Sequence, residues 1–393
     1  MDMAASTPSP DRARLVPGAG GNVLLFSMRR LEKLVAYSMT YEFEDVAAAV
    51  TGADRIDAGD QNALEFSRRT YKLVRYTSGS KTLARLLQPA PSVVQLERDY
   101  DLFFATFNHA YELFALSIVP NWRQRCRVAA CFIAELWTHQ LPEYLLELLG
   151  DFDHVFLGAS HPVEEVARIS GKPCSYLPIA VDVVRFSPYP GLPARVIDVC
   201  NIGRRSAVTH EALLEVARTR GIFYYYDTVA ASGHDKKQRT FQVSRPGEHR
   251  LLLAQILQHT RYYFAHRARV NDPEFTMGRE EVSGRFYEGS AAGTVMIGEP
   301  PDSEEFQRQF DWPDAVIQVP FDSPDIASLL EAMDRDPERL ARISRDNAHH
   351  AALRHDWVYR LRQVFETLGI PPTPAMRERE EHLRGIAAMA QTH

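Results

Sequence analysis

The chain has 393 residues, 45% of them hydrophobic and 24% charged, with a formal net charge of −6. That length supports two domains of ordinary size, each with its own core. Acids outnumber bases both in the first 184 residues and in the remainder, which excludes a broad field attracting nucleic acid.

No apolar run approaches the ~20 residues needed to span a bilayer. Residues 1–20 lack the charged-then-apolar pattern of a secretion signal and read as a disordered leader, so a cytoplasmic location is expected. The cysteines, Cys126, Cys131, Cys174 and Cys200, make no C-x-x-C pair and read as buried free thiols.

In chain order, apolar runs predict strands over 22–28, 71–76, 93–96, 102–107, 128–135, 154–158 and 175–178. Helices are expected over 142–149 and 162–169, with Gly150 and Gly171 where C-caps belong. Three prolines in Phe186-Ser-Pro-Tyr-Pro-Gly-Leu-Pro193 remove backbone donors and fix φ, marking an interdomain linker over 185–194. A second series follows, with strands over 196–202, 222–226, 262–266, 294–297 and 316–319, and helices near 208–219, 248–259, 284–292 and 324–334. Residues 337–368 read as one continuous helix that Gly369-Ile-Pro-Pro372 stops, before a last helix over 373–390. The alternation predicts α/β layers on parallel strands, a first domain over 21–184 and a second over 195–354.

The segment Glu280-Glu-Val-Ser-Gly-Arg-Phe-Tyr-Glu288 runs into Gly289-Ser-Ala-Ala-Gly293 and a buried strand. Glu280 falls on a loop and Glu288 about one turn into a helix. A loop and a helix N-terminus there can hold a phosphorylated ligand while a carboxylate on the same helix grips its hydroxyls. Upstream, Val199-Cys-Asn-Ile-Gly-Arg-Arg205 is a strand ending in a glycine turn with two arginines, groups whose geometry suits phosphate. Asp99-Tyr-Asp101 precedes its strand, the wrong end to hold a metal against a diphosphate.

These residues resemble the E-x7-E signature of retaining, group 1 glycosyltransferases of the GT-B fold. Tyr176-Leu-Pro-Ile-Ala-Val-Asp-Val-Val-Arg-Phe-Ser-Pro188 is similar to that family's P-x-G-V-D-x-x-x-F-x-P junction, with Ala180 in place of its glycine. The resemblance implies two Rossmann-like domains facing across a cleft, with C-terminal helices, about 355–393, crossing back to the first. It implies that Glu288 accepts from the nucleotide ribose, that Ser283 and Gly284 present backbone N–H groups to the diphosphate, and that Arg204 and Arg205 meet the same phosphates. Glu280 lies near the transferred sugar, with Glu281 its rival. Relatives add a lysine after the arginines; here His210 is the nearest basic residue, and Arg279, Arg285 or Lys236-Lys237 compensates. In the first domain, His139 follows a strand where the family places a polar catalytic residue; His109 competes with it, and Arg29 borders the cleft.

The implied activity is transfer of a sugar from a nucleotide-sugar donor, with retention, without metal or cofactor. The implied acceptor is a small molecule, a glycan or a lipid-linked group, and a homo-oligomer is compatible with the reading. The rivals are a sugar-nucleotide epimerase or hydrolase with the same clamp, and a degenerate, non-catalytic nucleotide-binding partner subunit.

Overall fold

The computed structural model describes residues 12–59, 61–89, 93–137, 143–227 and 243–392. The chain divides into two compact units. One comprises Met1–Lys33, Ala47–Gly158 and Pro162–Leu177; the other comprises Leu34–Val46, Ala159–His161 and Pro178–His393.

The first unit is built on strands β1 (Arg14–Val16), β2 (Val23–Ser27), β3 (Asp54–Asp57), β4 (Tyr100–Phe107), β5 (Cys126–Ile133), β6 (His154–Leu157) and β7 (Cys174–Tyr176). Among the described residues they form one sheet in the order β1-β3-β2-β4-β5-β6-β7. All neighbours are parallel except β1, which runs antiparallel to β3. Strand β2 is buried along its whole length, as a parallel strand covered on both faces must be. Helix α1 (Ser38–Thr51) is divided between the units at Val46, and α2 (Gln61–Ser78), α3 (Lys81–Leu86), α4 (Glu143–Leu146) and α5 (Val163–Ser170) complete the first.

The second unit carries α6 (Val183–Phe186), β8 (Ile197–Asn201), α7 (Ala207–Arg220), β9 (Tyr224–Tyr226), α8 (Pro246–Gln258), β10 (Thr260–Phe264), α9 (Pro273–Thr276), α10 (Gly284–Ala291), β11 (Val295–Gly298), α11 (Glu304–Gln309), β12 (Ile317–Gln318), α12 (Ile326–Asp334), α13 (Pro337–Arg354), α14 (Trp357–Thr367) and α15 (Pro374–Thr392). Its strands are all parallel in the order β12-β11-β10-β8-β9. The first strand, β8, therefore lies between β9 and β10. Such a reversal of winding opens a crevice at the carboxyl ends of the two central strands, here after Asn201 and Phe264.

Several expectations fail. The strand over 71–76 lies inside α2, because Leu64, Ser67 and Tyr71 are buried at helical spacing and Tyr71 packs edge-on against Phe114 at 5.2 Å. Residues 93–96 carry no strand; Asn121 instead holds Leu96 by its side chain, accepting at 3.4 Å and donating at 3.2 Å. Residues 14–16, assigned to the leader, form β1. The helix over 337–368 is two helices: α13 ends at Arg354 with His355 as its C-cap, and the Asp356 carboxylate caps α14 by accepting from the Val358 N–H at 2.9 Å. The second unit takes in α13, α14 and α15 together with Leu34–Val46.

The proline-rich junction is anchored at its start. Asp182 caps α6, accepting from the Arg185 N–H at 3.2 Å. Arg379 donates to Asp182 at 2.6 Å and to the buried Asp356 at 2.8 Å, and Asp356 also accepts from the Val183 N–H at 2.9 Å. Ala180 and Phe186 are wholly buried in this anchor. Cys131 and Cys200 are buried, all four cysteines are free, and burial pushes the Cys200 thiol up to about 12. Among the described residues no helix is long and apolar enough to cross a membrane.

His355 sits among Tyr287, Phe310 and Trp312, with ring centroids 5.1, 4.8 and 6.0 Å away. Burial, with Arg360 and Arg354 adding to it, holds this imidazole neutral well below its ordinary range. An unfolded chain takes up that proton below about pH 6.5, whereas the folded chain refuses it. Stability from this group is thus complete above that pH and falls by about 1.4 kcal/mol per unit as pH drops. The replacement His355→Phe should flatten the acid side of the melting-temperature profile; an unchanged slope would show that His355 is not the group being charged.

Candidate functional site

The site is built at the reversal point of the second sheet. After β8 the chain turns at Gly203, whose φ of +77° suits glycine. A Cβ there would meet Nη2 of Arg285 at 2.2 Å, so this glycine also lets the arginine lie against the turn. Arg285 is the second residue of α10 and forms no ion pair among the described residues. Its neighbours Arg204 and Arg205 are partly engaged: Arg204 donates to Asn271 at 2.9 Å, and Arg205 pairs with Asp227 and lies 5.3 Å over the Tyr226 ring. His210, the nearest basic residue after the arginines in sequence, has its Nδ1 2.8 Å from the Tyr224 hydroxyl. Lys236 and Lys237 lie outside the described residues.

The N-terminus of α10 points its first N–H groups into the same place. Ser283 has the extended backbone of an N-cap, but its hydroxyl donates to the His266 carbonyl at 2.6 Å and caps nothing on its own helix. The N–H groups of Gly284 and Arg285 thus keep the anion-seeking character of an uncapped helix start. Gly284 is itself confined, since a Cβ would lie 2.4 Å from the Met39 methyl.

His266 follows β10 across the crevice and is almost fully buried. Its Nδ1 accepts from the Glu299 N–H at 3.0 Å, which leaves the proton on Nε2. Burial, then Arg285 and Arg267, push its pKa down to about 3, so it is a neutral N–H donor at any working pH. Sequence reasoning placed it at the end of the strand expected over 262–266 but gave it no role; the signal available was a histidine closing an aromatic run.

The two glutamates of the E-x7-E segment differ in surroundings. Glu280 is part-exposed on its loop; it accepts from the Asp302 N–H at 2.7 Å and from Arg267 at 3.2 Å, and Arg267 also pairs with Glu299. Its rival Glu281 accepts from or is paired with His161, Nδ1 to carboxylate 2.6 Å. Beside Glu299 and Asp302 opens a cavity of about 1130 Å³ lined by Phe306, Phe310, Trp312 and Gln318. Glu288 is buried in α10 instead: Arg250 of α8 grips one oxygen, and the Tyr263 hydroxyl lies 3.4 Å from the other. Arg250 in turn holds Glu42 at 2.7 and 3.2 Å. The Trp357 indole N–H at 3.1 Å and the Asp182 N–H at 2.8 Å also donate to Glu42. Arg250 was not singled out in the sequence, although it occupies the apolar stripe of α8 with Leu253, Ala254 and Leu257, all buried.

In the first unit, Arg29 and His109 follow β2 and β4, the adjacent strands where that sheet reverses. Arg29 donates from both backbone and side chain to Ser27 Oγ, at 3.2 and 3.3 Å. Burial lowers the pKa of His109, Glu135 opposing it. Its imidazole lies 3.7 Å from Glu112, and with Glu32 these groups bring three ligand atoms within 4.8 Å of one another. Glu112 already accepts from the Asn108 N–H at 2.6 Å, so that cluster is accounted for as a loop anchor. His139 lies outside the described residues.

Residues 204–366 match the family of glycosyl transferase-like domains. None of the curated proteins matches the chain in sequence. Among solved structures, the trehalose-6-phosphate synthase OtsA is similar at a TM-score of 0.51 and 11% identity, over 90% of this chain and all of that one. A UDP-forming α,α-trehalose-phosphate synthase from Burkholderia vietnamiensis gives 0.44 and 10%, over 94% and 98%. The Glycosylation Associate Protein (Gap123) complex from Streptococcus agalactiae gives 0.36 and 12%, over 79% and 58%. The OtsA likeness speaks for the fold alone: the chain has the GT-B fold, with Rossmann-like sheets, and the glycosyl transferase-like match is confined to residues 204–366.

Breaking a desolvated ion group by removing one partner costs about 3–5 kcal/mol, because the remaining charges stay buried. Arg250→Met should therefore lower the stability of the second unit by that amount in urea unfolding followed by tryptophan fluorescence. The triple change Glu42→Gln, Arg250→Met, Glu288→Gln should lose less than the single one. A single variant as stable as the native chain would contradict this account of Arg250.

Proposed function

We propose that the chain transfers a sugar from a nucleoside-diphosphate sugar to an acceptor, with retention at the anomeric carbon and without a metal. The observation that carries this reading is the convergence of the uncapped α10 N-terminus, the Gly203 turn and Arg285, which has no ion pair among the described residues, at the carboxyl end of β8. Three elements thereby offer donors and positive charge to one anion, the arrangement a departing diphosphate requires.

In this reading the diphosphate lies on the N–H groups of Gly284 and Arg285, with Ser283 shaping the turn before them. The Arg285 guanidinium adds charge-assisted hydrogen bonds, and Arg204 and Arg205 flank the same turn. A hydrogen bond to a charged group contributes about 1.5–3 kcal/mol, whereas a helix terminus contributes about 0.3–1 kcal/mol. Arg285 accordingly contributes more than the helix start does and is the better residue to test. Neutral His266 supplies one N–H donor whose protonation state does not change with pH. The ribose would donate to Oε2 of Glu288, since Arg250 occupies the other oxygen and an ionised carboxylate accepts at several positions.

Glu280 would accept from hydroxyls of the transferred sugar, its two oxygens fixed by the Asp302 N–H and by Arg267. The cavity lined by Glu299 and by Asp302, whose N–H Glu280 accepts, has room for a sugar or part of an acceptor. As the bond to the anomeric carbon breaks, charge accumulates on the leaving phosphate, and the same phosphate would take the acceptor proton on the face where the new bond forms. His109, His139 and Arg29 are the acceptor-side residues of this proposal. A second reading, nucleotide binding without transfer, draws on the Arg250–Glu288 pair, which leaves Glu288 less free than a ribose-gripping acid needs to be.

Titration calorimetry of UDP, GDP and ADP against the native chain and Arg285→Ala tests the donor site. One nucleotide should bind the native chain, in the presence of EDTA, and about 10- to 100-fold more weakly to the variant. Binding by none of the three, or binding indifferent to Arg285, overturns the reading. Once a donor is identified, the anomeric configuration of the product reports retention, and binding without any turnover selects the second reading.

A further inference from the structure

The first unit carries a surface to which the proposed sugar transfer assigns no role. Helix α2 has two stripes. Leu64, Ser67 and Tyr71 face the core, with Val74 partly buried behind them. Phe66, Leu73 and Tyr76, at 63%, 65% and 64% exposure, lie with exposed Arg69 on a second stripe at the same helical spacing. After the left-handed turn at Gly79, α3 continues the pattern, with Leu83, Leu86 and Leu87 exposed and Ala84 buried. Gln88 donates to Ser67 at 2.9 Å and ties the end of α3 back to α2. No other region of the described residues exposes so many large apolar side chains in so short a stretch. Isolated exposed leucines need no explanation, whereas a contiguous patch of them with aromatics marks a contact surface.

Charge decides what contacts it. Over residues 61–89 the sequence holds six basic residues, Arg68, Arg69, Lys72, Arg75, Lys81 and Arg85, against one acid, Glu65. Arg75 and Arg85 pair with Glu147 and Asp151, and Lys81 donates to the Glu147 carbonyl, so these three are held inward. Arg68 and Arg69 share Glu65, and Lys72 lies 6.0 Å over the Tyr76 ring. The apolar stripe is therefore bordered by an excess of cations on a chain whose net charge is −6. A helix lying in a bilayer interface needs this combination: apolar and aromatic side chains on one face, with lysine and arginine beside them at headgroup level. A second copy of the chain, by contrast, would bring the same cations against one another.

We propose that the exposed face of α2 and α3 docks this protein peripherally on an anionic lipid surface. Phe66, Leu73, Tyr76, Leu86 and Leu87 enter the headgroup and acyl boundary, and Arg68, Arg69 and Lys72 meet lipid phosphates. The attraction acts only within a Debye length, about 8 Å at physiological salt, so the overall negative charge of the chain does not oppose it.

The test is co-sedimentation of the full chain with vesicles of phosphatidylcholine alone and of phosphatidylcholine mixed with phosphatidylglycerol. Native protein should partition onto the anionic vesicles and be released by high salt. Arg69→Gln with Lys72→Gln should weaken that partitioning about 30-fold, and Phe66→Ser with Leu73→Ser at least about tenfold. The altered side chains are exposed, so both variants should melt with the native chain, and circular dichroism checks that they do. Absence of native binding to anionic vesicles, or binding that both variants retain, overturns the proposal. So does a native dimer in light scattering that the serine variant dissociates, because the occupant is then a second copy.

Discussion

The second unit depends on a buried ion group in which one arginine serves two glutamates. Glu42, Arg250 and Glu288 are each nearly inaccessible, and removing three charges from water costs several kcal/mol per ion unless every lone pair and proton is matched. Here each acid meets Arg250 and at least one further donor, although the two share a single arginine. Arg250 donates to both acids; Trp357 and the Asp182 N–H serve Glu42, Tyr263 faces Glu288, and Arg185 stands 4.0 Å from Glu42. Burial raises the pKa of Glu42, with Arg250 opposing it, and the two acids hold Arg250 charged despite its own burial. A buried ion group of this kind fixes geometry more than it adds stability, since apolar residues of similar volume would pack there at no greater cost.

What it fixes is α10. The carboxyl half of this helix is held by Glu288, and Gly289 is pressed so closely by Met296 and Tyr263 that a Cβ would lie 2.8 Å from each. The amino half is left open, with its cap hydroxyl turned away to His266 and its first cation in no ion pair among the described residues. The helix is thus rigid at one end and unsatisfied at the other. Polar groups left without partners on a fixed element are pre-organised for a ligand, because binding does not have to pay for ordering them.

How much of this was legible follows from the range of each interaction. The Gly203 turn, the start of α10 at Ser283–Gly284 and the capping role of Asp182 involve residues close in sequence, and spacing reveals them, whereas the turning of the Ser283 hydroxyl to His266, 17 positions away, is not local. The ion group does not: Glu42 and Arg250 lie 208 positions apart, and no local pattern announces that Leu34–Val46 belongs with the second unit. The same limit explains the strand wrongly expected over 71–76. Tyr, Leu, Val and Tyr in close succession satisfy a strand template, but this stretch is apolar on two helical stripes, one meeting the core and one meeting solvent. Periodicity reads such a doubly apolar helix as a buried strand. Strand β3 escaped for the opposite reason. Its Asp54 and Asp57 look like loop residues until Tyr100 donates to one at 2.7 Å and Arg55 to the other at 2.6 Å.

The unequal surroundings of Glu280 and Glu288 also bear on what an E-x7-E spacing encodes. Seven intervening residues carry the chain from a loop, through a helix start, to a point one turn inside the helix, so the two carboxylates necessarily sit at different depths. The deeper acid meets whatever the neighbouring helices present, and here α8 presents an arginine that takes one of its oxygens. The shallower acid meets backbone and a second arginine, Arg267, which it shares with Glu299. Sharing halves the claim of Glu280 on that cation, and a carboxylate whose partner is divided between two acids can exchange part of its bonding for a sugar hydroxyl at little cost. Glu288 has no such slack, because moving it would cost a buried carboxylate its arginine and deprive Arg250 of one of its two acids. Under the proposed transfer, chemistry that requires a carboxylate to adjust during reaction would fall to Glu280, and recognition that requires a carboxylate to stay still would fall to Glu288.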